Sequence, residues 1–427
     1  MDMTINPVAH LSGTITPPGD KSISHRALMM SAIAEGTSII ENLSSGKDVQ
    51  STQNCLSQLG VPIEKESEQT IVHGRGIKGL KPPKTVLDAE NSGTTIRLLS
   101  GILAAQPFES IITGDASLRQ RPMNRIVDPL RQMKAHIDLE NGCFAPLHIK
   151  GGKLSPITYR TPVASAQVKS CILLAGLYTG GKTSLIEPSL SRDHTERLLP
   201  CFGVDVERNG LQVSIKGPAQ LQAASIRVPG DISSAAFFMV AASLIGQSRL
   251  LLKNVGVNPT RTGIINVLKR MGGEIKDQNN HISNNEPVAD ILIESCTLHG
   301  TVIDGDLIPK VIDEIPLIAI AATQAQGATI VRDAKELRIK ETDRIAAIAH
   351  NLKIMGVKID VFEDGFAIIG PQKLNGSIID SYGDHRIAMS FAIAGLIAQG
   401  RTTIQGSECV EISYPGFFKV LEKVTHD

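Results

Sequence analysis

The chain has 427 residues, 42% of them hydrophobic and 20% charged, and its 43 Lys+Arg balance its 43 Asp+Glu. That length favours two or more domains over one core, and the zero balance excludes the global basic field of a nucleic-acid binder, so anion recognition has to be local. Six scattered cysteines with no C-x-x-C pair read as reduced thiols rather than a disulfide frame or zinc site; with no secretory leader at MDMTINPVAHLSG and no apolar run near a membrane span, a cytoplasmic protein is expected.

In chain order, one unit recurs. A polar start leads into an Ala/Leu/Ile-rich helical stretch, a turn, a β-branched strand and a second amphipathic helix. The helical stretches begin near Gly19, Asn91, Val163, Gly230, Asp313 and Gly383, and strands such as TSIIENL, KTSLIEP, ATIVRDA and RTTIQGS follow their turns. DLENGCFAPLHI, DVERNGLQVSI and DVFEDGFAII carry Asn-Gly or Asp-Gly between alternating stretches, a strong hairpin signal. The last unit closes on PGFFKVLEKV without a hairpin, and residues 4–16, TINPVAHLSGTIT, read as its missing strands. The expected domains are therefore 20–228, and 1–19 together with 229–427, each holding three units. A continuous solenoid is the duller reading, but units of about 70 residues exceed the roughly 20–45 usual for solenoid repeats.

The polar residues collect at helix starts and after strands: GDKSISHR (19–26), NSGTTIR (91–97), SAQVK (165–169), Asp313-Glu314 and GDHR (383–386), then RQRP (119–122), SRDHTER (191–197), NPTR (258–261) and RIKETDR (338–344). Helix starts present unpaired N–H groups and a partial positive charge, and Arg grips anions with two parallel bonds. Each residue alone is explained as well by an N-cap, a turn glycine or a solvated charge. Their coincidence at matching ends of a repeat favours a site for several phosphates or carboxylates. The fourth start, GDISS, lacks cations and reads as bare scaffold. GLYTGGKT (176–183) fits the P-loop pattern, but a helix precedes it and a strand follows, the reverse of what that motif needs. His25, His194 and His385 lack metal-ligand spacing, and the carboxylates are interleaved with Lys and Arg, so no metal is expected.

Together Gly19-Asp20-Lys21-Ser22, Asn91-Ser92-Gly93-Thr94, Arg119-Gln120-Arg121-Pro122, Arg338 to Arg344 and Gly383-Asp384-His385-Arg386 make the whole chain resemble the 5-enolpyruvylshikimate-3-phosphate synthase family. Gly19-Asp20-Lys21, Ser165 to Lys169, Arg192 to Glu196 and Asn258 to Arg261 resemble its class II subgroup. The resemblance implies a mixed α/β (α+β) enolpyruvyl transferase fold, two domains of three β-α-β-α-β-β units with the active site in the cleft between them. It also implies a cofactor-free monomer that transfers the enolpyruvyl group of phosphoenolpyruvate to the 5-hydroxyl of shikimate 3-phosphate. Lys21, Asp313 and Glu341 would be catalytic. Lys21, Ser22, Arg26, Ser165, Ala166, Gln167, Arg192, Asp313 and Lys340 would hold shikimate 3-phosphate. Lys21, Asn91, Gly93, Arg121, Gln167, Arg344, His385 and Arg386 would hold phosphoenolpyruvate.

Two departures stand out. VEISYP (410–415) lacks the Lys that many relatives carry before the aromatic-Pro, and Gly93 leaves room for the inhibitor glyphosate although the class II motifs point to tolerance. The sister transferase acting on UDP-N-acetylglucosamine normally has Lys-Asn in place of Lys21-Ser22 and a reactive loop cysteine, neither of which is convincing here. A non-catalytic repeat scaffold is the rival from another class.

Overall fold

Asp20 accepts the Ile23 N–H, Ser92 that of Thr95, Ser165 that of Val168, Asp231 that of Ser233 and Asp384 that of Arg386. These side-chain caps start the helices Lys21–Ile33, Gly93–Leu103, Ala166–Gly176, Ile232–Leu244 and His385–Leu396 by satisfying otherwise orphaned donors. Ile315–Gln324 starts differently, with Pro316 in its first turn and no side-chain cap. Nearly every residue of these six helices is buried, as apolar character all round a helix requires. The computed structural model describes residues 1–426, the His426 side chain aside.

After each helix the chain turns into a strand: Thr37–Glu41, Glu109–Thr113, Lys182–Ile186, Arg249–Gly256, Gly327–Val331 or Thr402–Gln405. Among the described residues the strands form six small sheets, and the third unit shows the common order. Thr158–Arg160 runs parallel to Lys182–Ile186 across the helix, and Lys182–Ile186 pairs antiparallel with Gln212–Lys216, the second arm of a hairpin begun by Val206–Asn209. The three Asn-Gly and Asp-Gly hairpins form as read. At 176–183 the helix ends at Gly176 and the strand starts at Lys182, so GLYTGGKT is a helix-to-strand turn.

Two units borrow their first strand from a distant part of the chain. Ser225–Arg227 lies parallel to Thr37–Glu41, and His10–Ile15 lies parallel to Arg249–Gly256. The reading of residues 4–16 as strands of the last unit is corrected in part. Met3–Ile5 does pair with Thr402–Gln405, but His10–Ile15 lies between Arg249–Gly256 of the fourth unit and Thr425–His426 at the end of the last. The reason is the crossover: the Asp231 N–H donates to Pro18 O at 2.8 Å, so His10–Ile15 runs up to the start of the fourth helix as a β-α-β unit requires.

The chain divides into two compact units. One comprises Met1–Pro18, Pro229–Ile282 and Pro287–Asp427; the other comprises Gly19–Val228 and Ser283–Glu286. Each has its own apolar core, the first including Phe238, Phe391 and Phe417, the second Leu28, Leu99, Ile172 and Phe202. The four residues 283–286 form the tip of the long hairpin Glu274–Ser283/Glu286–Glu294, turned by Asn284 and Asn285 at φ 47° and 62°. That tip is bound within the 19–228 unit: Glu286 Oε1 lies 2.7 Å from His194 Nδ1, and Asn284 Oδ1 accepts the Arg227 N–H.

Candidate active site

In the Gly19–Val228 unit the polar residues gather at three helix starts. Gly19 is required at the first, where an added Cβ would stand 1.8 Å from Asn42 O. Lys21 follows the cap Asp20, and its Nζ is 2.8 Å from Asp48 Oδ2 at the start of the helix Lys47–Gln58. Arg26, one turn further on, is buried. Its Nε donates to Thr195 Oγ1 at 2.7 Å, its Nη2 to Ser170 Oγ at 2.6 Å and its Nη1 to Ser22 O at 2.8 Å. All three partners are neutral. Burial pulls its pKa down to about 10, against Glu196 and Asp20, which raise it, with Arg192 lowering it further. A buried guanidinium held only by neutral oxygens is poised for an anion.

At the second start, Asn91 Oδ1 accepts from Arg121 Nη2 at 3.0 Å while its own amide donates to Asp115. A Cβ on Gly93 would stand 2.6 Å from Arg97 Nη1 and 3.7 Å from Arg121 Nη1, so the glycine leaves room beside two guanidinium groups. Arg97 Nη1 in turn donates to Gln167 Oε1 at 3.0 Å, which joins the third start, and the Gln167 amide reaches Thr94 Oγ1 at 3.3 Å. Ser165 and Ala166 open that third helix, half-buried, as is Arg192. Lys169 points away into a buried cluster, 2.7 Å from Glu187 and 2.9 Å from Glu196.

The other unit assembles its share around Arg344. Its Nε lies 2.7 Å from Asp384 Oδ2, its Nη2 2.6 Å from Glu341 Oε2 and its Nη1 3.4 Å from Asp313 Oδ1. Burial alone would lower its pKa, but Asp384, then Glu341 and Asp313, more than offset that and hold it above the ordinary guanidinium value. Arg386 also reaches Asp313, its Nη1 donating to the backbone O at 3.1 Å and its Nη2 lying 3.7 Å from Oδ2. His385 is buried at the helix start, and Lys340 stands half-buried next to Glu341. The fourth start is not bare scaffold: Ser233 bonds Glu314 and accepts from Arg261 Nη2 at 2.8 Å, and Glu314 lies 3.5 Å from Arg386. Among the described residues no group of three or more His, Cys, Asp or Glu is placed to hold a metal ion.

A family model described as EPSP synthase (3-phosphoshikimate 1-carboxyvinyltransferase) matches residues 5–421. The chain belongs to the EPSP synthase family. Curated 3-phosphoshikimate 1-carboxyvinyltransferases from Brevibacillus brevis and Bacillus thuringiensis are 52% and 53% identical to it, over 99% of the chain and 99–100% of their own lengths. The solved EPSP synthase of Acinetobacter baumannii superposes with a TM-score of 0.89 at 47% identity, covering 99% of this chain and 98% of that one. The enolpyruvyl transferase NikO of Streptomyces tendae shares the fold, at a TM-score of 0.80 and 18% identity over 99% of this chain and 96% of its own. Within this EPSP synthase family chain, reading the sequence missed Asp48, Ser170 and Thr195 as partners of the helix-start cations. Asp48 had only a weak signal, an acidic residue in the first turn of the helix Lys47–Gln58, whose cap Gly46 makes no side-chain bond.

Proposed function

We propose that this protein transfers the enolpyruvyl group of phosphoenolpyruvate to the 5-hydroxyl of shikimate 3-phosphate. The 5-oxygen adds to carbon-2 of phosphoenolpyruvate as carbon-3 gains a proton. The tetrahedral intermediate then expels phosphate as carbon-3 loses a proton. Asp313 takes the hydroxyl proton, Glu341 delivers the proton to carbon-3, and Lys21 steadies the departing phosphate. Lys21, Ser22, Arg26, Ser165, Ala166, Gln167, Arg192, Asp313 and Lys340 hold shikimate 3-phosphate, while Lys21, Asn91, Gly93, Arg121, Gln167, Arg344, His385 and Arg386 hold phosphoenolpyruvate. The domains are 20–228, and 1–19 with 229–427, and the protein acts as a cytoplasmic monomer. No helix is long and apolar enough to cross a membrane.

The observation that carries this reading is the pairing of Asp313 and Glu341 on one buried guanidinium, at 3.4 and 2.6 Å, in a chain matched along its length by the family. The guanidinium holds both carboxylates in one small region, as groups that exchange protons with one substrate require, and favours their charged forms, which suits Asp313 as the base and makes Glu341 a donor only after it has taken up a proton. The buried, neutrally bonded Arg26 supplies the matching support on the phosphate side. Phosphate release from purified protein, with EDTA present, tests the proposal. Release is expected only when phosphoenolpyruvate and shikimate 3-phosphate are both supplied, and its absence with that pair would overturn the reading. Asp313→Ala is expected to lower kcat by roughly 10²–10⁴-fold, the usual worth of a positioned acid or base, with the fold intact by circular dichroism.

A further inference from the structure

A buried chain of hydroxyls runs beneath the Lys21–Asp48 ion pair. His25 Nδ1 lies 2.7 Å from Thr52 Oγ1, Thr52 Oγ1 lies 2.6 Å from Thr95 Oγ1, and Thr95 Oγ1 donates to Ser92 Oγ at 2.7 Å. Ser51 Oγ lies 3.3 Å from Thr95 Oγ1 and donates to Asp48 O at 2.8 Å. All five side chains are buried.

The bonds have one consistent direction. Thr95 has a single hydroxyl proton and gives it to Ser92, so Thr52 donates to Thr95 and His25 Nδ1–H donates to Thr52. His25 Nε2 then carries the lone pair, and it has no hydrogen-bond partner among the described residues. Burial, with Lys21 and Arg26 nearby, keeps the ring neutral by holding its pKa well below the ordinary value, which agrees with that tautomer.

The spacing gives the chain its effect. Lys21 and His25 are one turn apart on the helix Lys21–Ile33, as are Asp48 and Thr52 on the helix Lys47–Gln58. Ser92 and Thr95 are the cap and third residue of the helix Gly93–Leu103, directly after Asn91. Two helix starts are thus tied, one turn below the Lys21–Asp48 pair, to the cap of the third, which directly follows Asn91.

We propose that His25, Thr52, Thr95 and Ser92 are positioning residues that set the Asn91–Gly93 turn against Lys21, and so act on phosphoenolpyruvate binding above all, since shikimate 3-phosphate keeps Ser22 and Arg26 beside the Lys21 that both substrates share. The inference rests on the proposed activity. Wild-type turnover with the two substrates is therefore measured first: if it is absent, the proposed activity fails, whereas the variants below judge the positioning role.

Thr95→Val keeps the shape and removes the hydroxyl; Thr95→Ser keeps the hydroxyl and removes a methyl. Thr95→Val is expected to raise the KM for phosphoenolpyruvate about tenfold, within the roughly hundredfold that a misplacement of about 1 Å can cost. The KM for shikimate 3-phosphate should stay within about twofold, and Thr95→Ser should restore the first KM to within about twofold of wild type even if its melting temperature is the lower of the two. Thr52→Val and Thr52→Ser form a second pair should one variant fail to fold. Equal KM values for the Val and Ser variants, or a loss shared by both substrates that follows melting temperature, would overturn the proposal.

Discussion

Arg344 has its guanidinium almost wholly inside the protein, beside Asp384, which is completely buried. Removing the cation leaves that carboxylate without its main compensation, and breaking a buried pair typically costs about 3–5 kcal/mol. Arg344→Ala is accordingly expected to lose turnover and to lower the unfolding free energy by that amount in urea titration; a loss of turnover at unchanged stability would show that Asp384 is held by other means. His25 makes the opposite kind of statement. Its folded pKa lies well below 6.5 because burial disfavours the charged ring, with Lys21 and Arg26 adding to that. The unfolded chain therefore takes up a proton below about pH 6.5 that the folded chain does not, so stability falls as pH falls, by up to about 1.4 kcal/mol per unit. Asn cannot titrate. The stability advantage of wild type over His25→Asn should shrink by about 1 kcal/mol from pH 6.5 to 5.5, and a constant difference would mean that the folded ring charges too. Sequence made the cations at the helix starts readable because unusual residues recurred at equivalent places in a repeat. It did not show which carboxylate each cation meets. Asp48 and Asp384 sit 27 and 40 positions from Lys21 and Arg344, and only the folded sheet crossovers bring them together.

Among the elements, the N-terminal strand is open to disruption by a single change. Met3–Ile5 packs on the helix His385–Leu396 through Gly395, where an added Cβ would stand 2.9 Å from Ile5 Cγ2, 3.0 Å from Ile5 Cβ and 3.1 Å from Thr402 Cβ. Those are stems rather than flexible ends. Gly395→Ala gains helix propensity of about 1 kcal/mol, but overpacking of this kind costs about 1–3 kcal/mol and should outweigh it. A lower denaturation midpoint with unchanged slope is the expected result, and a raised midpoint would show that the strand simply lifts away. The helices and the three Asn-Gly or Asp-Gly hairpins were legible because each carries a local signal: caps, apolar periodicity, or that dipeptide at or beside the turn. The hairpin Glu274–Ser283/Glu286–Glu294 was not, since Asn284 and Asn285 make its turn without glycine and most of its first arm is exposed and polar. The destination of His10–Ile15 was also hidden, because a short apolar-alternating strand fits several open edges, and it is the crossover to Asp231 that sets it beside Arg249–Gly256, with Thr425–His426 on its other side.

For the molecule as a whole, the decisive fact is that the apolar cores among the described residues are two and share no residue. Cooperativity comes from a core whose parts cannot be lost separately, and a chain with two such cores is not bound to unfold in one step. Phe238 is fully buried in the core of the unit that includes residues 1–18, with its ring 5.7 Å from Phe417 and 6.2 Å from Tyr414. Phe202 is fully buried in the other core. Truncating either to Ala removes about 3–5 kcal/mol, enough to displace a transition visibly. If the units unfold separately, Phe238→Ala moves one calorimetric transition and leaves the second in place, while Phe202→Ala does the reverse. If they unfold together, both variants move one common transition by similar amounts. The two-core arrangement predicts the first pattern, and a single peak shifted alike by both substitutions would show that coupling between the units exceeds what either core loses.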